Sequence, residues 1–470
     1  MHLTVTSQQI ALATSGEVMG EWNAHGVSID SRTISEGELF IALKGEHHDG
    51  HTHVHEALNR HAAGAIVERR PEGISPEAPL VMVEDSFKAL WALARWQRGR
   101  TDAKMIGITG SVGKTSVCQM LQHALKTQGK TFGTKGNLNN HFGLPLMLCN
   151  LPLEARFGVF ELGMNHAGEL TELSGLLQPD IAIITGVESV HLEFFASENE
   201  IADAKAEIFD GVTEGGTAIL NTDSRHFKRL QQHAYHRGLK VVTFGEEHVA
   251  DVRLLLYDAA HQRAEVYVKE ASFGHTLNYT LGIAGKHQAI NSLAVLAAVH
   301  VLGGDMPAAA ASLENYGAAK GRGQIFHLQH YNGVRFILLD DSYNASPVSM
   351  RAAFDVLRSI PGANRRIAVL GDMLELGAGA PALHAELAES LHGVDQVFTA
   401  GLLMQHLFSV LEPHQQGVHK ESAMALLKDV EAVLEEGDVV LVKGSNGSRM
   451  WELAQALATH NPEKRVEKRG

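Results

Sequence analysis

The sequence predicts an α/β protein of three domains, and three observations carry that prediction. The chain has 470 residues, too many for one compact core. Short apolar runs alternate with helix-patterned stretches over most of its length. A glycine-rich turn near residue 110 lies between one such run and one such helix. We place a small mixed α/β domain at 1–84, a central α/β domain at 85–317 and a C-terminal doubly wound α/β domain at 318–470.

Composition narrows the function classes. With 44% hydrophobic and 20% charged residues the chain reads as an ordinary globular protein. A formal charge of −14 argues against a nucleic-acid partner, which requires clustered Lys and Arg. Cys118 and Cys149 belong to no CxxC pair or metal-ligand spacing, which fits a reducing compartment. No apolar run approaches the roughly 20 residues that span a bilayer, and the first residues lack a signal-peptide pattern. The expected address is therefore the cytoplasm, without membrane insertion.

In the first domain, strands are expected at 27–30, 39–43, 65–68 and 80–84, with a helix over 53–61. Ser86–Arg98 carries Phe87, Leu90, Trp91, Leu93, Ala94 and Trp96 at near-helical spacing and predicts an amphipathic connector. Lys104–Thr109 then begins a strand, turn, helix pattern, with the helix over 117–129 and Gly129 as its cap. Apolar runs at 158–162, 180–185, 217–220 and 241–244 suggest a mostly parallel buried sheet. Alternating runs at 251–257, 264–269 and 277–283 read as antiparallel additions, and a helix after Gly285 closes the domain. The last third repeats the alternation, with strands at 335–339, 366–370, 396–400 and 438–443.

The turn is Gly110-Ser111-Val112-Gly113-Lys114-Thr115-Ser116, set where a phosphate-binding loop must lie. Glycines let successive N–H groups converge on phosphate oxygens, the helix N-terminus adds its positive end, and Lys114 supplies a point charge. Thr115 would hold Mg²⁺ through its hydroxyl. The strict eight-residue pattern is not met, because Ile108 stands where its first glycine would be. The plain alternative is a glycine-rich turn with an incidental lysine. Glu161, at the end of a buried strand, is a second candidate for the metal, since a carboxylate buried there is costly unless it is paired.

The loop TGSVGKTS resembles the Mur ligase family, and the resemblance runs essentially end to end. It implies an ATP-dependent ligase with two Mg²⁺ ions, a small uridine-binding first domain, a central P-loop ATPase domain and a Rossmann-like C-terminal domain. His191, in GVESVHLEFF, matches the family's second-metal histidine. Taken alone it reads as an ordinary satisfied histidine. Lys205, in AKAEI, reads by itself as a surface lysine; the resemblance implies that CO₂ carbamylates it into a carboxylate-like metal ligand, and it groups Lys114, His191 and Lys205 as catalytic.

Near the N-terminus, IDSRTISEGELFIALKGEHHDGH is similar to the family's uridine-nucleotide motif through Ser31, Arg32, Lys44, Gly45, Asp49 and His51. The cluster His47, His48, His51, His53 and His55 has a metal-tract alternative. NLNNHFGLP resembles a family loop in which Asn139 and Asn140 would contact phosphate or a substrate carboxylate; His141 and Phe142 depart from its usual residues. GKHQAIN resembles the adenine-side motif, with Gln288 replacing an asparagine and Asn291 assigned to adenine. Arg322 matches a phosphate-contacting hinge arginine. DDSYNASPVSM resembles the signature of the branch that adds D-alanyl-D-alanine, with Ser346 in place of asparagine. Asp341 and Tyr343 would face ATP, and Asn344, Ala345 and Ser346 the incoming dipeptide, while Lys443 lies in a matching KGS.

The resemblance thus implies joining of D-Ala-D-Ala to a UDP-N-acetylmuramoyl tripeptide by a monomeric cytoplasmic enzyme. Two rivals stand beside it. One is a sibling ligase that adds a single amino acid; the other is a nucleotide-dependent switch that uses the loop without ligation.

Overall fold

The computed structural model describes residues 4–45, 48–188, 195, 197–269, 274–330 and 333–459. Its three principal sheets follow the α/β class that the sequence predicts. The first has five strands in the order Glu17–Met19, Leu80–Met82, Gly64–Val67, Leu39–Ile41, Val27–Ser28, all parallel except the Glu17–Met19 edge.

The central sheet has nine strands, ordered Gly274–Thr280, Arg263–Lys269, Val252–Asp258, Lys240–Gly245, Thr217–Asn221, Ile181–Ile184, Lys104–Thr109, Phe157–Glu161, Thr131–Gly133. The first two join antiparallel and the rest run parallel. Register matters for the site. Glu161 pairs with Ile108 and Ile184 with Thr109, so three carboxyl ends stop level with Gly110. In open α/β sheets this is the edge where ligands bind.

The third sheet has six strands, ordered Gln324–Gln329, Arg335–Asp341, Asp438–Lys443, Arg365–Gly371, Gln396–Ala400, Gln416–Lys420, with only the first antiparallel. Asp341 lies in register with Lys443 at its carboxyl edge.

Ser86–Arg98 is one helix with the expected bounds, capped by Asp85, whose side chain accepts from Lys88 N–H. Its buried face of Ala89, Leu90, Leu93 and Ala94 packs on the helices Ser7–Thr14 and Gly143–Cys149, so it joins the first sheet's core to the central one. Two expected elements shift. The strand expected at 277–283 is Gly274–Thr280, because Leu281 and Ile283 are buried in the bend that follows it rather than on the strand. The helix expected over 117–129 is Lys114–Leu125, so Gly129 is not its cap.

Candidate active site

A cleft of about 600 Å³ opens between the carboxyl edges of the central and third sheets. That size suits a small-molecule or cofactor site. Its floor is the glycine-rich loop. Gly110 has φ +149°, and an added Cβ would come within 2.0 Å of Thr185 Oγ1. Thr185 Oγ1 in turn donates to the Val112 carbonyl at 2.5 Å. Gly113 has φ +83°, and a Cβ there would come within 2.7 Å of Asn291 Oδ1. Both positions therefore require glycine. The helix Lys114–Leu125 starts at Gly113 without a side-chain cap, which leaves its first N–H groups for a ligand. Lys114 Nζ donates to the Gly110 carbonyl at 2.7 Å. Desolvation lowers its pKa most, the Glu161 carboxylate opposes that, and Arg322 adds to it.

Thr115 Oγ1 donates to Glu161 Oε2 at 2.7 Å, and Asn139 Nδ2 donates to Glu161 Oε1 at 2.8 Å. Glu161 is only 3% exposed, so both oxygens of a buried carboxylate are held by neutral donors. A hydroxyl beside a carboxylate is the hard oxygen set that Mg²⁺ takes together with phosphate oxygens. The fit depends on those phosphates, since among the described residues no group of three or more His, Cys, Asp or Glu could hold a metal alone.

The opposite wall comes from the third sheet. Lys443 Nζ donates to Asp341 Oδ2 at 2.6 Å and to the Asn344 carbonyl at 2.9 Å. The Arg322 guanidinium stacks over Tyr343, 4.1 Å from the ring centroid. Ser445 Oγ accepts from Leu374 N–H, tying the rim residues Leu374, Glu375 and Leu376 to the same wall. Serine at 346 also has a local reason. Its hydroxyl accepts from Ser349 N–H and starts the helix Pro347–Ser359 with a capping box.

The cleft thus brings together Ser111, Val112, Gly113, Lys114, Thr115, Ser116, Asn139, Asn140, Glu161, Asn291, Arg322, Asp341, Tyr343, Asn344, Ala345 and Ser346. Asn291 lies against Gly113, and its amide donates to Gln288 Oε1 at 3.2 Å, so the residue assigned to adenine sits at the phosphate loop. Asn140 Oδ1 is occupied by the N–H groups of Phe142 and Gly143, which leaves only its amide nitrogen toward the cleft.

Lys205 does not line the cleft. It sits on the helix Glu198–Ala206, is 2% exposed, and its ammonium donates to no acceptor among the described residues. Desolvation, then the charge of Lys114, pushes its pKa well below the ordinary lysine value. Burial without a partner favours the neutral amine, which is the form that reacts with CO₂. His191 lies outside the described residues.

The uridine-motif residues also lie away from the cleft. Ser31 Oγ donates to Glu56 Oε2 at 2.7 Å, and Arg32 makes a two-point ion pair with Asp30, whose carboxyl it lowers to about 2. The backbones of Lys44 and Asp49 form an isolated antiparallel bridge, and Gly45 N–H donates to the His48 carbonyl. His51 is buried, with Nδ1 against Asp49 at 2.6 Å and Nε2 accepting from Glu68 N–H at 2.9 Å. With both nitrogens committed, it orients Asp49 rather than meeting a ligand itself. Arg69, which pairs with Asp49, carried no signal in the sequence, and neither did Thr185 behind the phosphate loop.

Three family descriptions match the chain: "Mur ligase family, catalytic domain" over 23–94, "Mur ligase middle domain" over 108–299 and "Mur ligase, glutamate ligase domain" over 321–446. The UDP-N-acetylmuramoyl-tripeptide–D-alanyl-D-alanine ligase of Escherichia coli K12 is 35% identical over 460 residues, covering 97% of this chain and 98% of that protein. The ligase of the same name from Rickettsia prowazekii is 32% identical over 447 residues, 94% of this chain and 97% of that protein. A crystal structure of MurF from Acinetobacter baumannii superimposes with TM-score 0.83 at 29% identity, covering 97% of this chain and 99% of that one. The MurF ligase of Thermotoga maritima in complex with ADP gives TM-score 0.77 at 28% identity, with 95% and 98% covered.

Proposed function

The chain belongs to the Mur ligase family, and from that premise we propose that it joins D-alanyl-D-alanine to a UDP-N-acetylmuramoyl tripeptide with consumption of ATP, forming the pentapeptide precursor of peptidoglycan. The observation that carries this is the cleft itself. It sets a phosphate loop and a Thr115–Glu161 oxygen pair on one wall against Arg322 and the Asp341–Lys443 pair on the other.

On this reading ATP lies on residues 110–116, with its phosphates on the loop N–H groups and Lys114. A substrate carboxylate oxygen attacks the γ-phosphorus as the bond to ADP breaks, giving an acyl phosphate. The dipeptide amine then attacks the acyl carbon, loses a proton, and phosphate leaves as the amide forms. Lys114 and Arg322 offset the charge that accumulates when two anions meet, so the chain acts mainly by positioning and electrostatics. Mg²⁺, held by Thr115 and Glu161 with ATP phosphates, would supply further charge neutralisation, and a carbamate on Lys205 together with His191 would hold a second ion. Asn344, Ala345 and Ser346 lie where the dipeptide would approach, and Ser31, Arg32, Lys44, Gly45, Asp49 and His51 form the uridine end. No helix among the described residues is long and apolar enough to cross a membrane, and nucleotide-linked substrates fit a cytoplasmic setting.

The test is phosphate release from ATP with Mg²⁺ and the muramyl tripeptide, run with D-Ala-D-Ala or single amino acids. Release that depends on D-Ala-D-Ala is expected. Release with a single amino acid would move the chain to a sibling activity, and no acceptor-dependent release would favour a nucleotide switch. A Lys114→Ala variant with near-normal ligation would refute the role given to the loop.

A further inference from the structure

Three aromatic side chains, Phe87, Trp91 and Phe142, lie outside the cleft beside the Asn139 loop, next to His141, which lines the cleft. Trp91 Nε1 donates to the His141 carbonyl at 3.0 Å. Phe87 meets Phe142 edge-on with centroids 5.2 Å apart, and Phe87 and Trp91 lie 6.1 Å apart. Phe142 and His141 are themselves 5.9 Å apart. Phe87 and Trp91 project from Ser86–Arg98, whereas His141 and Phe142 end the loop that carries Asn139 and Asn140.

That loop is attached to the catalytic carboxylate at its other end. Gly163 N–H donates to the Asn139 carbonyl at 2.8 Å, and the Asn139 amide holds Glu161 Oε1. The helix in turn is fixed at its start, where Ser86 N–H and Oγ both donate to Glu68 Oε1 at 2.9 Å. Glu68 N–H is the group that His51 accepts from, beside Asp49. One strut therefore runs from the Asp49–His51 motif to the Glu161–Thr115 pair, with its middle joint at Trp91.

We propose that Trp91, with Phe87 and Phe142, is a positioning residue that sets the Asn139 loop and so orients the Glu161 carboxylate for its cation. The inference rests on the ligase reading above. Indole is suited to the joint because it offers an apolar face to Phe87 and one N–H to a backbone carbonyl. Loss of one such hydrogen bond at the reacting geometry corresponds to roughly a fivefold to tenfold change in rate.

The experiment compares Trp91→Phe, Trp96→Phe and Asn139→Ala, singly and as the Trp91→Phe/Asn139→Ala double variant. Trp96 is the control, since it lies on the same helix but stacks with Arg100. Trp91→Phe should lower kcat roughly fivefold to tenfold, leave KM for the muramyl peptide within about twofold, and raise the Mg²⁺ concentration needed for half-maximal activity about threefold. Calorimetric binding of Mg²⁺·ADP, which requires no turnover, should weaken by a similar factor. Trp96→Phe should shift only the unfolding midpoint. In the Asn139→Ala background, Trp91→Phe should add less than about twofold, because both changes break one path. Additive losses, or a Trp91→Phe protein altered in unfolding midpoint but not in Mg²⁺ requirement, would overturn the proposal. Phe142→Leu, a change at a partly exposed residue, repeats the comparison if Trp91→Phe does not fold. An unaltered protein that shows no ligation would instead refute the ligase reading.

Discussion

Lys205, on the helix behind the phosphate loop, and Lys443, in the third sheet, are each 2% exposed, yet the two regions treat a buried ammonium in opposite ways. Lys443 is matched by the Asp341 carboxylate and the Asn344 carbonyl. Lys205 donates to no acceptor among the described residues, and burial, then the charge of Lys114, lowers its pKa, a shift toward the neutral amine. Pairing gives a buried ammonium its acceptors, whereas isolation favours the neutral amine, a nucleophile. Depth of burial therefore says little about what a lysine is for; its partners decide.

Replacing each by methionine tests the contrast most strongly. On the proposed reading, Lys205→Met lowers ligation roughly a hundredfold or more, because a support of the metal centre is lost. Its unfolding free energy should stay within about 1 kcal/mol, since no ion pair is broken. Lys443→Met strands Asp341 and should cost about 2 kcal/mol, less than for a fully enclosed pair because Asp341 is 25% exposed. Steady-state kinetics and urea unfolding of both variants give the comparison. Equal destabilisation by the two would abolish it.

A second prediction sharpens the chemical side. A neutral Lys205 attacks CO₂ to form an N–C bond and releases one proton, so protein equilibrated with ¹³C-bicarbonate should show a carbamate resonance. It should vanish in Lys205→Met, persist in Lys443→Met and be lost on acidification, which returns CO₂ and the amine. A spectrum unchanged between parent and Lys205→Met would remove the carbamate from the mechanism.

The same contrast explains how much was legible in the sequence. Contiguous motifs declared themselves, because Gly110, Gly113, Lys114 and Thr115 act within one turn, and buried strands such as Lys104–Thr109 and Asp438–Lys443 read as apolar runs. Pairings across the chain did not. Nothing near Asp341 names Lys443 as its partner, and nothing near Trp91 points to the His141 carbonyl. Edge strands were lost for another reason. Gln324–Gln329 and Gln416–Lys420 each border one neighbour and bury little, so their sequences, QIFHLQ and QGVHK, lack a sustained apolar signal. The loop that holds Asn139 was visible as a motif, but its departures at His141 and Phe142 became intelligible only against Phe87 and Trp91.

A third way of holding charge, at the surface of the first domain, gives the smallest expected effect. Arg69, more than half exposed, is the main cause that holds the Asp49 carboxyl well below the usual carboxylate range, with His51 N–H and its ring adding to it. A carboxyl whose folded pKa lies below its unfolded value contributes stability that is present above the unfolded value, about 3.9, and is lost as pH falls toward the folded one. Solvent screens the pair, so the contribution should be no more than about 1 kcal/mol. Asp49→Asn should therefore lower the unfolding midpoint at pH 6 and approach the parent as both are taken toward pH 3. A gap that stays constant over that range would mean that the Asp49 side chain acts through the packing of His51 rather than through its charge.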